Sequence, residues 1–230
     1  MKSFLIIGAS SGIGEAIANS LLSQNHQVYA TYCNNEITLS HPNLKTSYFN
    51  VVSSDGFSFD FPEELDGLVY CPGTINLKPF NGLKLDDFSQ EFDVNVLGFI
   101  RVLKLALRSL KQRPSSVLGF SSVCAKRGFN FHSSTATSKS ALEGLFVSLA
   151  KEFAPKIRFN LIAPSIIDTP LSEKLINTPK KVENISATHP IPRLGNTHDI
   201  SSLANHLISE DSSWITGQVI SVDGGKSNLL

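Results

Sequence analysis

The chain has 230 residues, of which 41% are hydrophobic and 17% are charged, and its 20 Lys and Arg balance its 20 Asp and Glu. This length suits one α/β domain, and the balanced charge argues against a nucleic-acid partner or an anionic-membrane partner. Three cysteines without a C-x-x-C pair and six histidines without ligand spacing argue against a metal site and favour a cytoplasmic setting. The first apolar run, of about five residues, is too short for a signal peptide or a membrane span.

The N-terminal stretch joins an apolar run, Phe4 to Ile7, to Gly8, Gly12 and Gly14, and a helical pattern follows as far as Leu22. Glycines permit a tight turn in which backbone N–H groups approach a pyrophosphate, and the new helix directs its positive end at the same charge. The G-x-x-x-G-x-G spacing therefore predicts a dinucleotide-binding turn. The alternative is a strand-to-helix turn that needs small residues only for packing.

The second predicted strand, Gln27 to Tyr32, ends where a dinucleotide-binding fold reads the ribose of its cofactor. An acidic residue at this place selects NAD, and a nearby Arg accommodates the 2′-phosphate of NADP. Here the positions are Tyr32, Cys33 and Asn34, with neither an acid nor an Arg. Because no carboxylate would repel a 2′-phosphate, we expect a slight preference for NADP(H) over NAD(H).

Strands and helices then alternate without a repeat, a linker or a break in composition. Any helix before the third strand is short, and the Pro-rich residues 165–197 have the composition of a mobile segment that covers a substrate. The alternation predicts a single domain with a doubly wound parallel sheet and helices on both faces. The remaining predicted strands are Lys45 to Val51, Gly67 to Cys71, Ser116 to Ser121, Arg158 to Ala163 and Gln218 to Val222, and the helices are Leu85 to Leu110, Thr135 to Phe153 and Asp199 to Ser209.

The longest periodic segment, Leu85 to Leu110, has an apolar band too wide for a single contact face. We expect one side to pack on the sheet and the other to meet a second subunit, as in a homodimer or homotetramer. Asn95 interrupts this apolar stretch. Either its side chain bonds a nearby backbone group, or it serves a function.

Several motifs occur in an order that resembles the short-chain dehydrogenase/reductase family over essentially the whole chain. They are GASSGIG (8–14), the Pro72-Gly73 turn, DVNVLG (93–98), GFSS (119–122), TSKSALEG (137–144), NLIAPSIIDTP (160–170) and WITGQVISVDGG (214–225). The resemblance implies a Rossmann fold with a seven-stranded parallel sheet. It also implies hydride transfer between NAD(P)H and a small-molecule carbonyl or alcohol.

The same resemblance assigns catalytic roles to Asn95, Ser122 and Lys139, whose ammonium would bind the nicotinamide ribose. The family places a Tyr acid four residues before that Lys, but this chain has Thr135 there. An aliphatic hydroxyl has no accessible ionisation near neutral pH, and its oxygen ends roughly 4 Å nearer the backbone than that of a phenol. Removing one positioned acid costs about 10² to 10⁴ in rate, a loss that is compatible with residual turnover by this site.

His132 is a candidate for the missing proton donor. It lies seven residues before Lys139, about where the related enoyl reductases place their catalytic Tyr, and imidazole titrates near neutral pH. The competing interpretation is a loop histidine on a solvated rim. Cys124, two residues after Ser122, is better explained as a buried thiol than as a nucleophile.

The resemblance also assigns cofactor contacts. In the glycine turn these are Ser10, Ser11 and Ile13, and a further contact is Gly73, which follows the fourth predicted strand. Asn50 stands where the family often has an Asp that faces adenine. Ser165 replaces a Gly that usually follows Pro164. The segment that would hold the nicotinamide carboxamide is represented by Pro164, Ile167 and Thr169.

Three functional classes remain open from the sequence. The first is an oxidoreductase for a carbonyl, an alcohol or an activated alkene, with a proton donor other than tyrosine. The second is a redox-inactive dinucleotide-binding protein that acts as a sensor, scaffold or partner subunit. The third, a lyase or dehalogenase, usually abandons the glycine cradle, which this chain retains.

Overall fold

The computed structural model describes residues 1–53 and 62–229, and within these ranges seven strands form one sheet. All neighbouring strands are parallel, in the order β3-β2-β1-β4-β5-β6-β7, which confirms the predicted doubly wound sheet. The strands are β1 Ser3–Ile7, β2 Gln27–Tyr32, β3 Leu44–Tyr48, β4 Gly67–Tyr70, β5 Ser115–Phe120, β6 Ile157–Pro164 and β7 Val219–Val222.

Helices cover both faces of the sheet. They are α1 Gly12–Ser23, α2 Leu85–Phe92, α3 Gly98–Leu110, α4 Ser133–Phe153, α5 Glu173–Ile176, α6 Pro179–Ser186 and α7 Thr197–Ile208. In β1, Phe4 and Ile6 pack with α1 and α7, whereas Leu5 and Ile7 pack with α3 and α4. Central strands buried on both faces need apolar side chains at every position, so β1 has the unbroken sequence FLII after its first residue. None of the helices in the described ranges is both long and apolar enough to cross a bilayer.

Several elements differ from the sequence predictions, most of them by one or two residues at an end. The third strand ends at Tyr48 instead of Val51, and residues 33–43 contain no helix. The predicted helix from Leu85 to Leu110 is interrupted by a π-helical turn, Asp93–Leu97. The proline-rich residues 165–197 contain α5 and α6, so the predicted cover carries helices of its own, and its mobility stays a prediction.

The π-helical turn is fixed to the sheet by Tyr70, the last residue of β4. Its hydroxyl donates a 2.6 Å hydrogen bond to the carbonyl of Val94, and its ring packs edge-on against Phe99. The fit is close, because a Cβ on Gly98 would lie 2.5 Å from the Tyr70 hydroxyl oxygen. A π-helical turn disturbs the regular helical hydrogen bonds, and its buried carbonyls need other donors. This contact places Asn95, within the turn, in the interior with no exposed surface.

We expect Tyr70→Phe to lower the free energy of unfolding by about 1 to 3 kcal/mol, because the Val94 carbonyl loses its donor while the ring is kept. Urea denaturation measures this change. The matched control is Tyr48→Phe at a half-exposed edge position, for which we expect a change within about 0.5 kcal/mol. Equal stabilities of the two variants would contradict the anchoring role of Tyr70.

Candidate active site

The glycine turn between β1 and α1 has the geometry of an anion cradle. Gly8 and Gly12 have φ angles of +77° and +60°, in the left-handed region that favours glycine. A Cβ on Gly14 would lie 2.1 Å from the carbonyl oxygen of Gly8, so only glycine allows α1 to start this close to the strand. Ser11 precedes the helix in an extended conformation and makes no side-chain cap bond to the described residues. The first N–H groups of α1, including that of Ile13, therefore remain available to an anion.

Two further turns meet this cradle at the carboxyl edge of the sheet. A Cβ on Gly8 would lie 3.3 Å from the side chain of Pro72, and one on Gly12 would lie 3.3 Å from that of Thr169. Ile167, two residues earlier, is buried and bridges to Gly195. The structure thus brings together the glycine turn, the Pro72-Gly73 turn and the segment after Pro164. They meet at the carboxyl edge of the sheet, which is where open α/β sheets bind their ligands.

The predicted adenine side lies at the ends of β2 and β3. Tyr32 packs edge-on against Tyr48, with ring centroids 6.2 Å apart, and Cys33 and Asn34 are exposed just beyond β2. The Oδ1 atom of Asn50 accepts a 3.0 Å hydrogen bond from the N–H of Val52. Because that oxygen is engaged locally, the side-chain NH₂ of Asn50 is the group suited to an adenine acceptor.

Among the described residues the Asn95 side chain bonds other side chains and no backbone group, which contradicts the simpler of its two interpretations. Its Nδ2 donates to Ser138 Oγ at 3.1 Å and to Thr74 Oγ1 at 3.2 Å, and Oδ1 is buried without a hydrogen-bond partner among the described residues. A Cβ on Gly73 would lie 3.5 Å from Asn95 Oδ1 and 3.4 Å from Lys139 Nζ. The glycine thus leaves an unsatisfied acceptor and an amine facing one small space, which suits a hydroxyl-bearing ligand.

Lys139 is buried, and its Nζ donates a 2.8 Å hydrogen bond to the carbonyl of Phe120 at the end of β5. Burial lowers the pKa of this amine to about 8, against the smaller opposing effects of Cys124 and Glu91. Ser122 lies just beyond Phe120, and its Oγ accepts a 3.3 Å hydrogen bond from the N–H of Cys124. The Ser122 hydroxyl also hydrogen-bonds the thiol of Cys124, so both sides of this hydroxyl are engaged within the same loop.

The Cys124 side chain is buried, and burial raises the pKa of its thiol. A thiol that resists ionisation is a poor nucleophile. The interpretation of Cys124 as a buried thiol is therefore confirmed.

Thr135 is buried and lies against a carboxylate that the sequence reasoning missed. Its Oγ1 donates a 3.0 Å hydrogen bond to Oε1 of Glu91, whose Oε2 accepts from Ser138 Oγ at 3.3 Å. Glu91 is only 2% exposed, and burial raises the pKa of its carboxyl despite opposing hydrogen bonds from Thr135, Ser138 and Thr74 and the charge of Lys139. The sequence signal that could have identified Glu91 as a site residue is its position four residues before Asn95, on the same helical face.

His132 lies apart from this cluster. Its Nδ1 is 2.7 Å from the carbonyl oxygen of Asn130, and its ring packs against Phe129. None of its hydrogen bonds or ring contacts in the described ranges involves Ser122, Thr135 or Lys139. The structure thus gives no contact that links His132 to the proposed reaction centre, and its role as a proton donor stays untested.

Ser165, which replaces the usual Gly after Pro164, ties the covering segment to the sheet. Its Oγ lies 2.8 Å from Nε2 of His189, whose Nδ1 lies 2.9 Å from the carbonyl oxygen of Ile185. Because a carbonyl only accepts, Nδ1 carries a proton and donates to Ile185, and the ring links Ser165 to that carbonyl. The departure from glycine therefore has a structural consequence of its own.

The comparisons with known proteins cover almost the whole chain. A family model described as enoyl-(acyl carrier protein) reductase matches residues 57–227. The 3-oxoacyl-[acyl-carrier-protein] reductase of Aquifex aeolicus is 30% identical over 241 residues, covering 97% of this chain and 96% of that protein. Ligand-free aldohexose dehydrogenase from Thermoplasma acidophilum has a TM-score of 0.88 at 27% identity, covering 98% of this chain and 94% of that one. ElxO with NADP bound has a TM-score of 0.87 at 28% identity, covering 98% and 99% respectively.

Gly14, in the glycine turn at the start of α1, and Gly144, within α4, give a matched pair of glycine-to-alanine substitutions. We expect Gly14→Ala to lower stability by about 1 to 3 kcal/mol, because its Cβ would overlap the Gly8 carbonyl. In Gly144→Ala, the new Cβ meets nothing within 4 Å, and we expect a gain of about 0.5 to 1 kcal/mol. Thermal and urea unfolding measure both. A Gly14→Ala protein as stable as Gly144→Ala would contradict the close approach.

Lys139 makes stability depend on pH. Its folded pKa of about 8 lies below the ordinary value of 10.5, so the charged form is penalised only in the folded state. Its contribution to stability is therefore complete above about pH 10.5 and is lost as the pH falls through about 8. We expect the unfolding free energy of the wild type, relative to Lys139→Met, to rise between these two pH values in urea titrations. A difference that is constant with pH would contradict a buried, readily deprotonated Lys139.

Proposed function

This chain belongs to the short-chain dehydrogenase/reductase family, and we propose that it transfers a hydride between NAD(P)H and a small-molecule carbonyl, alcohol or activated alkene with a proton donor other than tyrosine. The observation that carries the proposal is the space beside Gly73. There Asn95 Oδ1, which has no hydrogen-bond partner among the described residues, and the Lys139 amine border the same position, at the sheet edge that also holds the glycine cradle. A site that had lost its cofactor would have no need to keep these buried polar groups together.

The chain has suitable groups for each part of a dinucleotide. The N-terminus of α1, with Ser10, Ser11 and Ile13, suits the pyrophosphate, and Lys139 suits the hydroxyls of the nicotinamide ribose. The segment holding Pro164, Ile167 and Thr169 packs against Gly12 and suits the carboxamide end. When bound, the reduced nicotinamide supplies the hydride.

We favour NADP(H) over NAD(H) for this site. The residues that follow β2 are Tyr32, Cys33 and Asn34, and no carboxylate among them would repel a 2′-phosphate. ElxO, which this chain resembles along its length, has been solved with NADP bound. The relative Kd values of NADPH and NADH decide the preference.

On the substrate side, Ser122 is placed to hold the reacting oxygen. Its Oγ accepts from the Cys124 N–H and its hydroxyl hydrogen-bonds the Cys124 thiol, and a substrate oxygen would replace that sulfur as the acceptor of the hydroxyl hydrogen. We propose that residues 165–197, which carry α5 and α6, cover the bound substrate. Ser165 and His189 would hold the base of this cover on the sheet.

The second candidate is a redox-inactive dinucleotide-binding protein that serves as a sensor, scaffold or partner subunit. Thr135 favours it, because a threonine hydroxyl cannot replace the acidity of a phenol. This candidate predicts cofactor binding without oxidation in the presence of any substrate.

We also propose that the chain forms a homodimer or homotetramer in the cytoplasm. Leu105 on α3 and Val147 on α4 are about half exposed, and Phe92 and Leu97, in and just after α2, are each more than a third exposed. Apolar side chains of this size on neighbouring helices suit a contact with a second copy. A monomeric mass in solution would contradict the assembly.

The decisive experiment is a fluorescence titration with NADPH and NADH, followed by turnover assays on aldehydes, ketones, quinones and activated alkenes. We expect the wild type to bind cofactor and oxidise it with at least one of these classes. Ser122→Ala should lower kcat by about 10² to 10⁴, and Ser148→Ala, an exposed serine of α4, should not change it. Binding without turnover in the wild type, with activity appearing in Thr135→Tyr, would establish the redox-inactive candidate instead.

A further inference from the structure

Glu91 is a buried acid that no role described above uses. It is the one buried residue of α2, and none of the ion pairs in the described ranges includes it. Burying a carboxylate without a cation in contact is costly, and the cost falls if the group holds its proton. A helix that buries only a carboxyl group, towards the proposed reaction centre, calls for a chemical explanation.

The partners of Glu91 are hydroxyl groups, which can both donate and accept. Thr135 Oγ1 lies 3.0 Å from Oε1, Ser138 Oγ lies 3.3 Å from Oε2, and Thr74 also hydrogen-bonds the carboxyl. Such partners fit either protonation state of the acid, unlike an arginine, which would hold it ionised. The charged or titratable groups that act on it are Lys139 of α4 and Cys124 beyond β5.

The Thr135 hydroxyl can accept two hydrogen bonds and donate one, which is the capacity that a proton relay needs. The N–H of Asn76 donates to it at 3.4 Å, and the Glu91 carboxyl lies at 3.0 Å. When Glu91 is protonated, its O–H donates to Thr135 Oγ1, and the threonine keeps its own hydrogen for a different acceptor. When Glu91 is ionised, that hydrogen turns back to the carboxylate. The protonation state of Glu91 thus decides whether Thr135 can donate outward.

We propose that Glu91 supplies the proton of the reduction through the hydroxyl of Thr135. The inference rests on the proposed function, and it makes Thr135 the catalytic residue and Glu91 the positioning residue behind it. Because the threonine oxygen ends roughly 4 Å short of a phenolic one, one water completes the path to the substrate oxygen.

The proposed step balances. The carbonyl would be reduced to an alcohol by a hydride at its carbon, which bound NAD(P)H would supply as it is oxidised. The carbonyl oxygen takes a proton from the water, the water takes one from Thr135, and Thr135 takes the carboxyl proton of Glu91. The O–H bond of Glu91 is broken, a new O–H bond forms on the product, and the carboxylate recovers its proton from solvent. The reverse path serves alcohol oxidation.

The inference accounts for two features together. Thr135 stands where the family has a tyrosine acid, and Glu91 places an ionisable group directly behind that threonine. The short hydroxyl lacks acidity, and the carboxyl supplies it from the interior. Glu91 would therefore supply the proton for which the sequence offered His132 as one candidate.

The test compares the wild type with Glu91→Gln, Thr135→Val, Thr135→Ser and the double variant Glu91→Gln/Thr135→Val. We expect Glu91→Gln and Thr135→Val each to lower kcat about 10² to 10⁴, with the KM and the cofactor Kd unchanged. Thr135→Ser keeps the hydroxyl and should retain most of the activity. Because the two groups act in series, the double variant should be no slower than the slower single variant.

The pH profile separates a relay from a structural role. Reduction needs the protonated acid, so the kcat of the wild type should fall as the pH rises through the raised pKa of Glu91. Glu91→Gln should lose this fall. The matched control is Glu143→Gln, which removes a carboxylate that accepts from a serine hydroxyl, Ser121, at 2.6 Å. We expect it to keep the wild-type kcat and pH profile.

A readout that does not depend on activity is the ¹³C NMR titration of labelled glutamate carboxyls, with Glu91 assigned by its absence in Glu91→Gln. We expect Glu91 to titrate above the ordinary 4.5 in the cofactor-free protein. Thermal unfolding and the cofactor Kd verify that the variants fold.

The outcomes are distinct. An active wild type with Glu91→Gln unchanged in kcat and pH profile, or a Glu91 that titrates at or below the ordinary value, would overturn the relay alone. A wild type that binds cofactor but turns over no compound would overturn the proposed function and the relay with it.

Discussion

The Tyr70 hydroxyl, at the end of β4, donates to the Val94 carbonyl and joins the sheet edge to the π-helical turn. That turn separates α2 from α3, and it carries Asn95 into the interior one helical turn after Glu91. Both polar side chains thereby face α4 and its residues Thr135 and Ser138. Moving this anchor would alter two elements of the candidate site at once, because packed helices shift as units.

Burial controls the chemistry of the cluster. It lowers the pKa of Lys139 to about 8 and raises that of Glu91, so each group is displaced towards its neutral form. Groups whose protonation changes within the working range of an enzyme are suited to move protons. This is the basis on which we propose Glu91 as the proton source, reached through the hydroxyl of Thr135.

The proposed nucleotide-binding part of the site depends on a different constraint. There the backbone of the glycine turn lies very close to the neighbouring turns. Gly8, Gly12 and Gly14 each lie where a side chain would touch another part of the site: Pro72, Thr169 and the Gly8 carbonyl respectively. The three turns at the carboxyl edge therefore fit one another only with glycine at these positions. The same closeness exposes the N–H groups of α1 to a ligand, so packing and anion binding come from one arrangement.

The sequence by itself determined the parallel sheet and the glycine turn, since unbroken apolar runs and turn glycines act through local and periodic rules. It also placed Asn95, Ser122 and Lys139 by their order along the chain. Only the tertiary structure decided that Asn95 bonds Ser138 and Thr74, and that Glu91 lies behind Thr135. Glu91 and Thr135 are 44 residues apart, and their contact depends on how α2 packs against α4. Helical periodicity alone predicts that Glu91 lies on an exposed polar face. In the folded protein α2 packs with this side chain inward, and Glu91 is buried.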